Sequence, residues 1–83
     1  MSSLQALAKE SRQLLKAGQS MNALRVAEQA ARLHSTDPAA HYLHGHVQEM
    51  VARYEEALNS YREAIRLGGH EDAAERAAHL AAA

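Results

Sequence analysis

Tyr54-Glu55-Glu56-Ala57-Leu58-Asn59-Ser60-Tyr61-Arg62-Glu63-Ala64-Ile65-Arg66-Leu67-Gly68-Gly69 is the stretch that decides the fold. Apolar or small residues return in it every three or four positions, the period of an amphipathic helix. Gly68-Gly69 then stops that helix. Moved back along the chain, the stretch falls without a gap on an earlier one. Ala57 lands on Ala23, Leu58 on Leu24, Ala64 on Ala30, Arg66 on Arg32 and Leu67 on Leu33, with Tyr61 on Ala27. The correspondence continues upstream, where Gly45 lands on Ser11. Small residues at these places have a physical reason. Ser11/Gly45 and Ala23/Ala57 sit where two antiparallel helices approach closely, and Ala30/Ala64 sit where the next helix packs on.

Working outward, Ser2 and Gln5 form a candidate capping box, and Leu4, Leu7, Ser11, Leu14 and Leu15 recur at helical spacing until Gly18. The second helix, through Leu24 to Leu33, ends with Arg32 and His34, cations that suit its dipole. Asp37-Pro38 restarts the chain: Asp caps, and Pro fits a first turn where its missing N–H has no partner in any case. The spacing predicts a third helix over about 38–52, a fourth over about 54–67, and an Ala-rich fifth from about residue 71. No stretch alternates with period two over the length of a strand. The expected fold is all-α: antiparallel helix–turn–helix repeats in one domain of about five helices. Repeat one covers about 4–37, repeat two about 38–69, and a capping helix about 71–83.

Eighty-three residues make one small domain. Hydrophobic residues reach 47%, but 19 of the 83 are Ala and none is Phe or Trp, so a stack of closely spaced helices suits the composition better than a deep single core. Without Cys there are no disulfides, iron–sulfur clusters or thiolate zinc sites. No apolar run nears the ~20 residues that span a bilayer, and the first residues lack the basic start and apolar stretch of a signal peptide. A soluble, cytoplasmic chain is expected, with no membrane partner. The net charge of −1 argues against nucleic acid. Residues 1–36 carry five basic and two acidic groups, net +3, and residues 37–83 four basic and eight acidic, net −4. This polarity is either solvated surface or an aid to head-to-tail association.

The period of about 34 residues, with Gly45, Ala57, Tyr61 and Ala64 in the second unit and Leu7, Ser11, Leu14, Gly18, Ala23 and Ala30 in the first, resembles the tetratricopeptide repeat family over residues 4–69. The sequence departs from that pattern at His41, His44 and Gln48, where large apolar residues are usual, and at Ser35 and Gly69, where Pro is common. The resemblance implies protein–protein interaction without catalysis. A peptide or protein segment would lie in a concave groove lined by the first helix of each repeat. Carried onto this chain, the groove is Gln5, Ala8, Arg12, Leu15 and Lys16, with Tyr42, His46, Glu49, Met50 and Arg53. Arg12 and Lys16, one turn apart, suit a carboxylate, and Tyr42 and Met50 suit an apolar floor. The competing reading of Arg12 and Lys16 is a solvated helix surface. The two-carboxylate clamp of chaperone-binding members calls for Lys and Asn where Ala8 and Arg12 stand, so that ligand is not implied.

Helix three also carries an apolar stripe of Leu43, Val47, Met50, Val51 and Tyr54, within about 100° on a helical wheel. Two readings are open. The helix slips from the repeat register so that Leu43, Val47 and Met50 fill the core, or the register holds and the stripe faces outward as a self-association surface. Self-assembly into a homo-oligomer completing a short stack is therefore the first alternative function. A His-mediated metal site is the second, but His41, His44 and His46 cannot all converge on one ion from one helix, and no HExxH arrangement exists. If His41 or His44 lies in a packed interface, protonation is expected to loosen it. Catalysis is not expected and no cofactor is implied: there is no nucleophile elbow or phosphate loop, and the adjacent Glu55 and Glu56 point to different faces of a helix.

Overall fold

The computed structural model describes residues 3–82 and contains, among them, five α-helices and no strand. They are α1 (Leu4–Lys16), α2 (Ser20–Leu33), α3 (Pro38–Met50), α4 (Tyr54–Arg66) and α5 (Glu71–Ala82). Each helix packs on the next in the chain, and α1 also touches α3. In the repeat alignment, α1 and α3 begin and end at equivalent positions, and α2 and α4 begin at equivalent positions. None of these helices is long and apolar enough to cross a membrane.

The ends of the helices follow from local chemistry. Ser2 lies outside the described residues, and the side chain that caps α1 is Ser3, which accepts from the Ala6 N–H at 3.1 Å. Asp37 caps α3 by accepting from the Ala39 N–H at 2.9 Å, with Pro38 in the first turn. After α1 the chain reverses at Gly18 (φ +78°), where the Gln19 N–H donates to the Leu14 carbonyl at 2.8 Å. The turn after α3 repeats this arrangement at the equivalent positions, the Arg53 N–H donating to the Gln48 carbonyl at 2.8 Å. Its left-handed residue, however, is Ala52 (φ +64°), which costs about 1–2 kcal/mol that a glycine would not.

The core forms two clusters of buried side chains. The first joins Leu7, Ala23, Leu24, Ala27, Ala30, Leu43 and Val47; the second joins Ala57, Tyr61, Ala64, Ala73 and Ala77, with Tyr42, Leu58 and Leu80 packed on it. Two contacts hold the helix pairs at close range. The buried Ser11 hydroxyl donates to the Ala23 carbonyl at 3.0 Å. Gly45 lies under the Tyr61 ring, where a Cβ would meet ring carbons at 2.8 Å.

Helix three matches neither of the two readings whole: Leu43 and Val47 turn inward, but Met50 does not join them in the core. Leu43 (5% exposed) and Val47 (0%) lie in the first cluster, each burial being worth roughly 1.5–3 kcal/mol. Val51 is half-buried against the same cluster, while Met50 (62%) and Tyr54 (56%) stay exposed. The helix has not slipped to achieve this, because Gly45 keeps its place beneath Tyr61. It buries two faces, since α2 packs on one side and α4 on the other.

Candidate functional site

A groove of about 450 Å³ opens between α1 and α3. Leu4, Ala8, Ala39 and Leu43 give it an apolar lining; Gln5, Arg12, Tyr42 and His46 bring polar atoms to it. The small side chains of Ala8 and Ala39 leave open the volume that larger ones would fill. Arg12 is exposed and, among the described residues, has no ion-pair partner.

Five of the ten residues assigned to the groove from the sequence do line it: Gln5, Ala8, Arg12, Tyr42 and His46. Leu15 is half-buried against the first cluster, and Lys16 is an exposed residue in the last turn of α1. Met50 points to solvent, and Arg53 lies 3.8 Å from Glu56 in an exposed pair. Glu49 is already engaged. It forms an ion pair with Arg76 of α5, whose Nε donates to Glu49 Oε1 at 3.2 Å, and Oε1 also accepts from the Tyr61 hydroxyl at 2.8 Å. The sequence reading missed Leu4, Ala39 and Leu43. Their spacing was legible, since Leu4 precedes Ala8 by one turn, and Ala39, Leu43 and His46 lie on one helical stripe. What was not legible is that Leu43 reaches both the core and the groove.

The electrostatics follow from these contacts. The hydrogen bond from Arg76 holds the Glu49 carboxyl below the ordinary range, against the opposing effect of burial, so Glu49 stays ionised. Burial, then the hydrogen bond to Glu49, raises the Tyr61 phenol, and burial followed by the Asp72 charge raises that of Tyr42. Both therefore act as neutral rings with hydrogen-bonding edges. On α3, His44 is turned away from the groove residues by helical spacing. Its Nε2 is buried without a hydrogen-bond partner among the described residues. Burial lowers its pKa, opposed by the charges of Glu28 on α2 and Glu56 on α4, while His41 acts in the same direction as burial. His41 itself places Nε2 at 2.8 Å from the Ser35 carbonyl. Among the described residues no group of three or more His, Cys, Asp or Glu is arranged to hold a metal ion.

The fold and the groove thus define a small helical protein built of antiparallel pairs with an open, mixed apolar and cationic cleft. Compared with known proteins, the chain matches no family model and no curated relative at a significant level.

Proposed function

We propose that this chain is a tetratricopeptide-like interaction module without catalytic activity, and that its α1–α3 groove receives an extended protein segment. The segment carries an apolar side chain next to a carboxylate. The apolar side chain lies on Leu4, Ala8, Ala39 and Leu43, against the Tyr42 ring, and the carboxylate pairs with Arg12. The observation that carries this reading is the groove itself: an apolar floor flanked by an exposed guanidinium with no ion-pair partner among the described residues. Such a floor stays wet and unpacked until a side chain fills it.

The test is a titration with short capped peptides holding Leu or Met beside Glu, against the same peptides with Gln in place of Glu. Binding is expected to shift the amide resonances of Gln5, Ala8, Arg12, Tyr42 and His46. Arg12→Glu should weaken it by about tenfold, and added salt should weaken it in the wild type, as for a screened charge pair. Equal binding of the Glu and Gln peptides would discard the Arg12 contact, and the absence of any shift at these five residues would discard the groove.

Self-association has a narrower support. Met50 and Tyr54, the part of the helix-three stripe that stays exposed, flank the turn between α3 and α4. End-to-end stacking finds less: Lys9 and Gln13 of α1 hold the repeat positions of Leu43 and Val47, and both are exposed and polar. Light scattering over a hundredfold concentration range separates the two readings. A mass that rises with concentration and falls with Tyr54→Glu places an interface at that turn.

A further inference from the structure

We propose that α5 is the buttress of the α1–α3 groove, acting through Tyr42, and that His70 is the residue that positions Tyr42. This rests on the groove being the binding site only for its use; the coupling itself is a property of the unliganded chain.

Tyr42 belongs to two places at once. It lines the groove, and it also packs on the second core cluster, which contains Ala73 and Ala77 of α5. The His70 ring, in the connection before α5, stacks on it at 4.4 Å between centroids with 10° between planes. Tyr61 leans on it at 5.7 Å, and His46, one turn along α3, stacks at 6.2 Å. Tyr42 is therefore the wall shared by the groove and the α5 cluster.

The same His70 ring also organises α5. Its Nδ1 accepts from the Ala73 N–H at 3.3 Å, satisfying a donor that the first turn of the helix leaves open. Farther along α5, Arg76 grips Glu49 of α3. Apart from these polar ties, α5 buries only Ala73 and Ala77, with Leu80 half-buried. A helix held by so little apolar surface belongs to the least stable part of a fold. When it opens, Tyr42 loses the nearest of its three ring neighbours and gains room on that side. Having only two side-chain torsions, it then leaves the position that shapes the groove. Linkage makes the effect reciprocal: whatever packs on Tyr42 in the groove also holds α5 down.

The experiment needs no ligand, so a failure of peptide binding and a failure of the coupling remain separate results. Amide hydrogen exchange and resonance positions are measured on the full chain and on His70→Ala, His70→Phe and Arg76→Gln. In His70→Ala the α5 amides should exchange about fivefold faster, as expected for loss of a stacked ring pair. The Gln5, Ala8 and Arg12 amides across the groove should shift as Tyr42 moves. The Ala23 and Leu24 amides, in the other cluster, are the internal control and should keep their protection. His70→Phe restores a stacking ring but not the acceptor, so the groove amides should return towards wild-type positions while the Ala73 amide stays fast. Arg76→Gln loosens α5 from its other tie and should shift the same groove amides. The proposal is overturned if α5 loosens in these variants while Gln5, Ala8 and Arg12 stay unmoved. It is equally overturned if His70→Phe leaves the groove as His70→Ala does.

Discussion

The two helix pairs share a backbone and a register, yet they solve the same packing problem with different side chains. Where α1 meets α2, the buried Ser11 hydroxyl donates to the Ala23 carbonyl; where α3 meets α4, Gly45 admits the Tyr61 ring. Leu14 and Val26 of the first pair are half-buried and apolar. Their counterparts in the second pair are Gln48 and Ser60, both buried, and the Ser60 hydroxyl donates to Gln48 Oε1 at 2.6 Å. A polar pair can stand where the first repeat has an apolar one because the hydroxyl and the amide oxygen are paired rather than left bare. The sharpest contrast lies on the flank of the first helix. Lys9 and Gln13 face water on α1, whereas Leu43 and Val47 at the equivalent places on α3 face α1 and α2. The lesson is that a repeat position has no fixed environment; its burial depends on whether another pair lies beside it.

This contrast can be broken most forcibly at that flank. Val47→Asp puts an unpaired carboxylate in the first cluster and is expected to cost about 4 kcal/mol, or to leave the chain unfolded, in urea titrations followed by circular dichroism. Gln13→Asp, at the same repeat position on α1, should change stability by no more than about 0.5 kcal/mol. Equal effects at the two sites would contradict the placement of α3.

The inter-helix contact comes next. Gly45→Ala brings a Cβ to 2.8 Å from the Tyr61 ring and should cost about 1–3 kcal/mol despite the better helix propensity of Ala. A stability gain would mean that the ring has room to retreat. The two turns offer a smaller effect of opposite signs. Ala52→Gly relieves a left-handed alanine and should raise stability by about 1 kcal/mol, while Gly18→Ala should lower it by a similar amount. Melting temperatures that move the same way in both variants would break the equivalence of the turns.

Acidification gives the gentlest test. Burial lowers the pKa of His44 from 6.5 in the folded chain, so the unfolded chain takes up its proton first. Stability is then level above that value and falls as the pH drops from 6.5 towards the folded value. Glu49 also has a lowered pKa, held below 4.5 by Arg76, and because its charged form is the paired one its contribution is lost only at more acid pH. His44→Leu should remove the first of these two declines and leave the second. A first decline that survives the substitution would assign it to another histidine. The equivalent position in the first repeat, Glu10, is exposed to water.

Much of the molecule could be read from local signals. Asp37-Pro38 announced α3, Gly18 announced the first turn, and small residues at matching places announced the close helix contacts, because caps, left-handed turns and periodicity act over a few residues. Half of the assigned groove followed as well, since residues three or four apart on one helix share a face. The other half did not follow. Leu15 packs on the core, Met50 faces water, and Glu49 is claimed by Arg76 from α5, a pairing that leaves no trace in a helical period. Ala52 carries no local mark of its left-handed conformation, since an alanine rarely adopts it.

By itself, then, the sequence determined an all-α chain of helical pairs repeating at a fixed period, because hydrophobic spacing, capping chemistry and small-residue placement are properties of neighbouring positions. Only the tertiary structure decided which face of each helix meets water. It sent Leu43 and Val47 inward, left Met50 and Tyr54 outside, and drew α5 onto Tyr42 and Glu49. The reason is that burial is set by everything that packs on a helix, and α3, with a helix on both sides, has two inner faces where α1 has one.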